Sequence, residues 1–518
     1  MARIAVIGAG TGAMAAAARL AAAGHRVAVY ERAETYGGAV RRFERDGFGF
    51  DTGPGLLHLP AVFRDLFLKT GKEPLESCVG LSQVDPASRH LFADGTDLSL
   101  PAASRAGVVR ALDAALGAGA GERWSGLLGR ARETWEATRR PLLEEPLPHG
   151  GTAAPERGPR PPSRAGRGLF GLRRARPPRS LAELARRELR DPRLAALLES
   201  HALAHGFDPG TVPASAAVLP YLEHTFGSWY VRGGMRALAE ALYERCRARG
   251  VEFTFGAEVT GVLVEDGRAA GLETADGRRV EAEVVVSGVD VRLLYGGLLP
   301  PEAGAPSPPR PSSGPPGHGR FGLLLALRGA RPEGTAHRTV LHAADPEAER
   351  AGLAGDFARL CDRPTVTVLR PGDPGLLPDG RHETAVLSVT VPPHASGETA
   401  AEGTLDWTAG DRAERFADAV LAAAGKAGLD LESRVLWREI RTPADTERET
   451  GAPGGSVPGP ALAGAGGAFL HAGNRAGVEG LYLAGGSAHP GGGLAHTGMS
   501  GALVAGLIVN GDDWRGSH

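Results

Sequence analysis

Gly8, Gly10, Gly12 and Ala13 stand at the spacing with which a chain wraps its backbone round a pyrophosphate. Glu31 stands 23 residues after the first of them. The first glycine permits a tight turn, and the second lets the backbone approach a phosphate. The third site of the pattern tolerates Ala, and the acid accepts hydrogen bonds from ribose hydroxyls. A carboxylate there disfavours a 2′-phosphate. The chemistry implied is that of a bound dinucleotide. A second glycine cluster lies far down the chain, in Gly485-Gly486-Ser487-Ala488-His489-Pro490-Gly491-Gly492-Gly493. Two smaller sets fall between them, Gly37-Gly38 and Phe48-Gly49-Phe50-Asp51-Thr52-Gly53-Pro54-Gly55. No HExxH, clustered metal spacing or local Ser/His/Asp signature accompanies these motifs.

The elements around the first motif fit its use. Ile4 to Ile7 is a short β-branched run, and the Ala-rich stretch Met14 to Ala23 favours helix. Gly24 stops that helix, and Arg26 to Tyr30 reads as a second strand ending at the acid. The helix N-terminus then faces the ligand with its partial positive charge. The motif alone does not separate FAD from NAD. The C-terminal cluster also lies between a strand, Leu481 to Ala484, and an apolar helix expected over about Thr497 to Asn510. A second backbone site so far away suits a cofactor too long for one βαβ unit.

Met235, Leu238, Leu242 and Cys246 mark one face of a helix ending at Gly250. After it come the runs Val251 to Phe255, Val259 to Val264, one around Leu272, and Val280 to Val286. Asp266-Gly267 and Asp276-Gly277 separate them, which predicts a β-meander. Phe321 to Leu327, Thr339 to His342, Thr365 to Arg370 and Ala385 to Val391 read as strands of a second sheet. Ala61 to Glu145 reads as mostly helical. Asp411 to Ala424 reads as a helix stopped by Gly425, and Gly451 to Gly467 as a Gly/Pro linker.

Length and composition bound the class. The chain has 518 residues, ample for a large core and a soft prior of about three domains. Lys and Arg total 58 against 60 for Asp and Glu, a balance that argues against nucleic acid as the main partner. Three scattered cysteines, Cys78, Cys246 and Cys361, form no disulfide framework, so a cytoplasmic setting is expected. No apolar run reaches the ~18 residues of a membrane span. Residues 146–180 are Pro-, Gly- and Arg-rich, with Leu169, Phe170 and Leu172 among the arginines. They read either as a solvated loop or as a patch for anionic lipid, giving peripheral membrane contact.

Taken in order, the motifs resemble the bacterial phytoene desaturase-like family of FAD-dependent oxidoreductases. The resemblance covers nearly the whole chain. It rests on Ile7 to Gly12 with Glu31, on Gly37-Gly38, and on Phe50-Asp51-Thr52-Gly53-Pro54. It also rests on Thr225 to Tyr230 with Gly233-Gly234-Met235, on Asp373-Pro374 through Gly380, and on Leu481 to Gly493. It implies an α/β fold: a discontinuous Rossmann-like FAD domain, of glutathione-reductase or amine-oxidase kind, carrying a mixed helix–sheet substrate domain. The boundaries expected are 1–58, 225–298 and 461–518 for the first, and 59–224 with 299–460 for the second. Glu31, with Arg32 beside it, would serve the adenosine ribose, and Val259 would lie against adenine through its backbone. Gly53 and Pro54 would add to the flavin site, and Gly485, Gly486 and Pro490 to Gly493 would line the flavin end.

Three positions depart from the family pattern. Ala39 stands where Arg often follows the Gly-Gly pair, with Arg41 and Arg42 nearby. Ala495-His496 replaces a common Pro, and His58 replaces a small polar residue. His58 and His496 are therefore the candidate catalytic side chains. The resemblance implies desaturation of a carotenoid or similar lipophilic polyene, with the flavin accepting a hydride. A carrier-tethered polyene of secondary metabolism, or a saturase or isomerase working from reduced flavin, stands as the alternative. A flavin-free NAD dehydrogenase is disfavoured by the C-terminal glycines. Oligomeric state is left open.

Overall fold

The computed structural model describes residues 1–148, 178–300, 317–354, 360–395, 404–464, 467, 469–511 and 513–516. Most of the Arg-rich stretch 146–180 therefore lies outside the described residues, as does most of the Pro-rich segment 301–319.

The N-terminal motif folds as its residues dictate. Strand β1 (Arg3–Ile7) turns at Gly8 into helix α1 (Thr11–Ala22), which returns as strand β2 (Arg26–Tyr30). These strands join a five-stranded parallel sheet in the order Leu481–Leu483, Val284–Ser287, β1, β2, Glu252–Thr254. Its strands come from three separated stretches of chain, and ligands of such sheets bind at the carboxyl ends of the strands. Helix α1 is buried along most of its length, with Met14 to Ala18 at 0 % exposure. On the face toward the last helix, Leu494–Asn510, only small side chains fit, because the two helices pass so close. A Cβ on Gly501 would sit 2.6 Å from the Gly12 carbonyl oxygen and 2.7 Å from the Ala15 methyl.

The meander forms as expected, from Val259–Glu265, Arg268–Thr274 and Arg279–Glu281. Asp266 and Gly267 both take positive φ, 50° and 76°, the backbone that a right-twisted two-residue hairpin requires. The single run expected over Val280 to Val286 is split. Its first part closes the meander, and Val284–Ser287 crosses into the parallel sheet.

A second, seven-stranded sheet has the order Val435–Arg441, Gly319–Arg328, His382–Val391, Val366–Leu369, Arg338–Leu341, Ser88–Leu91, Asp97–Leu100. It contains the four strands read from sequence and three that were not. Two of those lie inside Ala61 to Glu145, which is thus less helical than its composition suggests. Ser88–Leu91 and Asp97–Leu100 are four residues each and flank Asp94-Gly95, too short for a clear period-2 signal. Along Gly319–Arg328 the faces alternate. Phe321, Leu323, Leu325 and Leu327 are fully buried in a core shared with helix Arg412–Lys426. That helix runs through Gly425 and ends instead near Gly428, whose φ of +84° supplies the left-handed stop. The described part of the stretch read as a Gly/Pro linker is packed wall: Val457 N–H donates to His318 O, and Gly492 N–H to Gly459 O. A third core, helical, gathers Val108, Leu112, Trp124, Leu127, Leu197 and Leu198 between the helices of residues 105–139 and 181–226.

Candidate active site

One cavity of about 920 Å³ opens at the carboxyl end of β1 and extends to the seven-stranded sheet. Gly8, Gly10, Thr11, Gly12 and Ala13 line its first part. Helix α1 starts from Gly10 with no capping side chain, so its first-turn N–H groups are left for a ligand. A Cβ added to Gly10 would meet nothing within 4 Å, whereas one on Gly12 would sit 2.8 Å from Gly485 Cα and 3.1 Å from Thr497 O. The two glycines thus differ in kind. Gly10 keeps space open, and Gly12 lets the two glycine clusters touch. Backbone packing here joins motifs that lie more than 470 residues apart in sequence.

Glu31 directly follows β2 and is 8 % exposed. Its Oε2 accepts Ala9 N–H at 2.7 Å, and its Oε1 accepts Ala33 N–H at 2.9 Å. Each carboxylate oxygen keeps a second lone pair, and the residue lines the cavity with Arg32 and Val259. Gly37, Gly38, Gly53 and Pro54 line it as well. The Gly53 loop is pinned by Asp51, which accepts Met235 N–H at 2.8 Å and Arg236 N–H at 3.3 Å at the start of helix Met235–Ala248. Burial pushes the Asp51 carboxyl up to about 6. Arg41 reaches the cavity where the family's usual Arg is replaced by Ala39, with its Nε donating to Gly38 O at 2.9 Å. Arg42 pairs with Glu44 at 2.8 Å and does not line the cavity.

The C-terminal cluster is only partly on the cavity. Gly485, Gly486, Gly492 and Gly493 line it, and Pro490 and Gly491 do not. Pro490 O accepts Ala461 N–H, and a Cβ on Gly491 would sit 2.6 Å from Gly459 O. These two residues hold the segment Gly459–Ala461 in place, so their glycine and proline serve packing. The loop is braced from behind by Ser500 Oγ, which accepts Gly485 N–H at 3.0 Å. Asn474 Nδ2 donates to Leu483 O and His489 O.

Both candidate histidines reach the cavity. His58 Nδ1 lies 3.5 Å from Ser228 Oγ. Burial holds His58 below the usual imidazole range and takes His496 down to about 3, so both rings are neutral near pH 7. They are not alone. His201 and His205, both lowered to about 4 by burial, line the same cavity, as do Glu223, Arg320 and Arg338. Arg338 Nη1 donates to Glu223 Oε1 at 2.6 Å, with side-chain exposures of 5 % and 11 %. These residues escape the sequence reading because they stand singly in apolar helices and strands. The available signal was a charge inside an apolar run, as in Gly319-Arg320-Phe321.

Apolar side chains complete the walls, including Leu219, Leu222, Leu324, Leu369 and Val386. The arrangement can hold a long two-ended cofactor between the glycine clusters and a second, largely apolar molecule against the sheet. The open space over Gly10, the uncapped helix start and the oriented Glu31 fit a dinucleotide.

Comparison with known proteins agrees. The model of the flavin-containing amine oxidoreductases matches residues 14–314. Hydroxyneurosporene desaturase of Rubrivivax gelatinosus is 31 % identical over 98 % of this chain and 93 % of its own length. The 4,4'-diapolycopene oxygenase of Methylomonas sp is 30 % identical over 98 % of both. Among solved structures, putrescine oxidase bound to putrescine superposes with a TM-score of 0.65 at 15 % identity, covering 98 % of this chain and 99 % of that one. An oxidoreductase from Methanosarcina mazei gives 0.63 at 18 % identity, covering 97 % and 99 %. The structural likeness carries the fold, and the sequence likeness carries the kinship. The chain belongs to the flavin-containing amine oxidoreductases, beside the carotenoid desaturases, and is an FAD-dependent oxidoreductase.

Proposed function

We propose that this protein dehydrogenates a carbon–carbon single bond of a lipophilic polyene, of carotenoid type. The observation that carries the reading is one continuous cavity. It joins a dinucleotide cradle to a sheet face whose Leu324, Val386 and Leu369 form an apolar row across three paired strands. Relatives that match over nearly the full chain are desaturases of hydroxyneurosporene, which supports the substrate class.

In this reading Gly8 to Ala13 hold the pyrophosphate, and Glu31 and Arg32 hold the adenosine ribose. Val259 meets adenine through its backbone, while Gly37, Gly38, Gly53 and Pro54 close over the middle. Gly485, Gly486, Gly492 and Gly493 face the flavin end. The residue set divides into 1–58, 225–298 and 461–518 for the cofactor, and 59–224 with 299–460 for the substrate. Bound FAD supplies the hydride acceptor. The apolar row orients the polyene and excludes water. The proton lost from the neighbouring carbon goes to a ring nitrogen of His58 or His496, whose weak basicity makes it a relay to solvent.

A lipophilic substrate has to be collected from a bilayer, so peripheral membrane contact is part of the proposal. Among the described residues no helix is long and apolar enough to cross a membrane. Unchanged liposome sedimentation after deletion of residues 157–176 would remove the Arg-rich stretch from that role.

The test is anaerobic mixing of the purified holoenzyme with a panel of polyenes. Loss of the oxidised flavin band with a new double bond in the product is expected for at least one carotenoid. No bleaching by any of them, with reactivity only after chemical reduction of the flavin, would turn the assignment to saturation or isomerisation.

A further inference from the structure

Strand alternation places Arg320 on the cavity side of Gly319–Arg328, one position before the buried Phe321. Its Nη2 donates to Ala204 O at 2.6 Å. Among the described residues no carboxylate comes within ion-pair distance of it, and its other N–H groups have no partner. Three other arginines on or beside the same sheet are matched: Arg338 by Glu223, Arg370 by Glu383, and Arg441 by Glu449. Arg320 is half-buried on the cavity wall, and a ligand that fills the cavity desolvates this cation at a cost unless it brings a counter-charge.

Its surroundings offer no neutralisation. Thr390, directly opposite on the paired strand, spends its hydroxyl on Leu203 O. His205, next in sequence to the carbonyl that Arg320 holds, is kept neutral by burial. Burial also pulls the guanidinium below its usual range, with no acid to raise it again. The pyrophosphate cradle is built on the other sheet, at the β1–α1 turn, so the cofactor's phosphates are provided for separately.

We propose that Arg320 anchors an anionic oxygen at one end of the substrate, a carboxylate or an enolate, so that the polyene taken by this chain is an acidic one. This rests on the polyene reading above and narrows it. The planar guanidinium suits such a group because it presents parallel N–H donors to two oxygens. An uncharged ester of the same polyene would leave the cation unpaired.

Retinoic acid and its methyl ester are the probes, titrated into the flavin-loaded enzyme while the flavin absorbance is followed. In the unmodified enzyme the acid is expected to bind at least about tenfold more tightly than the ester. In Arg320→Met the ratio falls to near one, and in Arg320→Lys a preference for the acid persists. Flavin content and melting temperature establish that each variant is folded. Equal binding of acid and ester by the unmodified enzyme overturns the proposal, whatever the variants do. So does an unchanged ratio in Arg320→Met. A shifted flavin potential in that variant, with the ratio intact, would place the guanidinium against the flavin and likewise overturn it. Bleaching by neutral carotenoids with no acid preference would leave desaturation standing and remove only the anchor. Acid preference without any polyene-driven bleaching would do the reverse.

Discussion

The two glycines of the first motif make opposite predictions under the same substitution. Gly10 has φ −71° and ψ 162°, a conformation open to any residue, and nothing within 4 Å of an added Cβ. In the apoprotein Gly10→Ala meets no steric penalty: restricting the unfolded chain adds about 0.4–1 kcal/mol, the poorer N-cap residue removes a similar amount, and stability should change little. That methyl, however, enters the space left for the pyrophosphate. FAD affinity should fall by at least tenfold, which is about 1.4 kcal/mol. Gly12 lies inside α1, where Ala is favoured by about 1 kcal/mol. Its Cβ would meet three backbone atoms at 2.8 to 3.1 Å, none of which is the free end of a side chain. Overpacking of that kind costs about 1–3 kcal/mol, so Gly12→Ala should be neutral to destabilising even without FAD. The assay is chemical denaturation of each variant with and without FAD. The stabilisation conferred by the ligand follows its affinity logarithmically, so FAD should protect Gly10→Ala less than the parent. If Gly10→Ala bound FAD as well as the parent, or if it destabilised the apoprotein more than Gly12→Ala, the division into a ligand glycine and a packing glycine would be wrong.

Three further outcomes follow from the interior charges. Glu31→Ala removes the acceptor of the Ala9 N–H and should cost about 1–3 kcal/mol in the apoprotein while also weakening FAD binding, read in the same titration. Arg338→Met leaves Glu223 buried and unpaired and should destabilise by about 3–5 kcal/mol; the double change with Glu223→Leu should recover most of this, and a double-mutant cycle with no coupling would refute the pair. Acid should unfold the protein early. His496 and His342 at about 3, and His201 and His205 at about 4, stay neutral when folded but bind protons when unfolded below pH 6.5. Their contribution is present above 6.5 and is lost as pH falls towards 4, by about 1.4 kcal/mol per pH unit for each group. Asp51 at about 6 and Glu349 at about 7 act in the opposite sense, gaining as pH falls, and are outnumbered. His496→Gln should flatten the slope of stability against pH between 6.5 and 4, and an unchanged slope would show that His496 is not held neutral.

What the sequence determined by itself was local. The turn at Gly8, the Ala-rich helix, the acid at the end of β2 and the Asp-Gly hairpins are each dictated by a few adjacent residues, and they formed where those residues stand. The same holds for the long strands of the second sheet, whose apolar runs exceed what a loop tolerates. Tertiary structure decided the rest. Ser88–Leu91 and Asp97–Leu100 are strands because a parallel partner at Arg338–Leu341 and an antiparallel return exist to pair them, and no four-residue window could announce that. Gly425 is harmless within a helix whose Phe416, Val420 and Leu421 are held in a core. Gly491 and Gly492 are neighbours of one residue type and both pack against Pro458-Gly459, yet only the second also lines the cavity. Above all, Glu223, Arg320, Arg338, His201 and His205 are spread over 138 positions and meet only because helix and sheet close on one space. A charge within an apolar run shows in the sequence that something interior is polar. Which partner it finds, or lacks, depends on distances that exist only once the chain is folded.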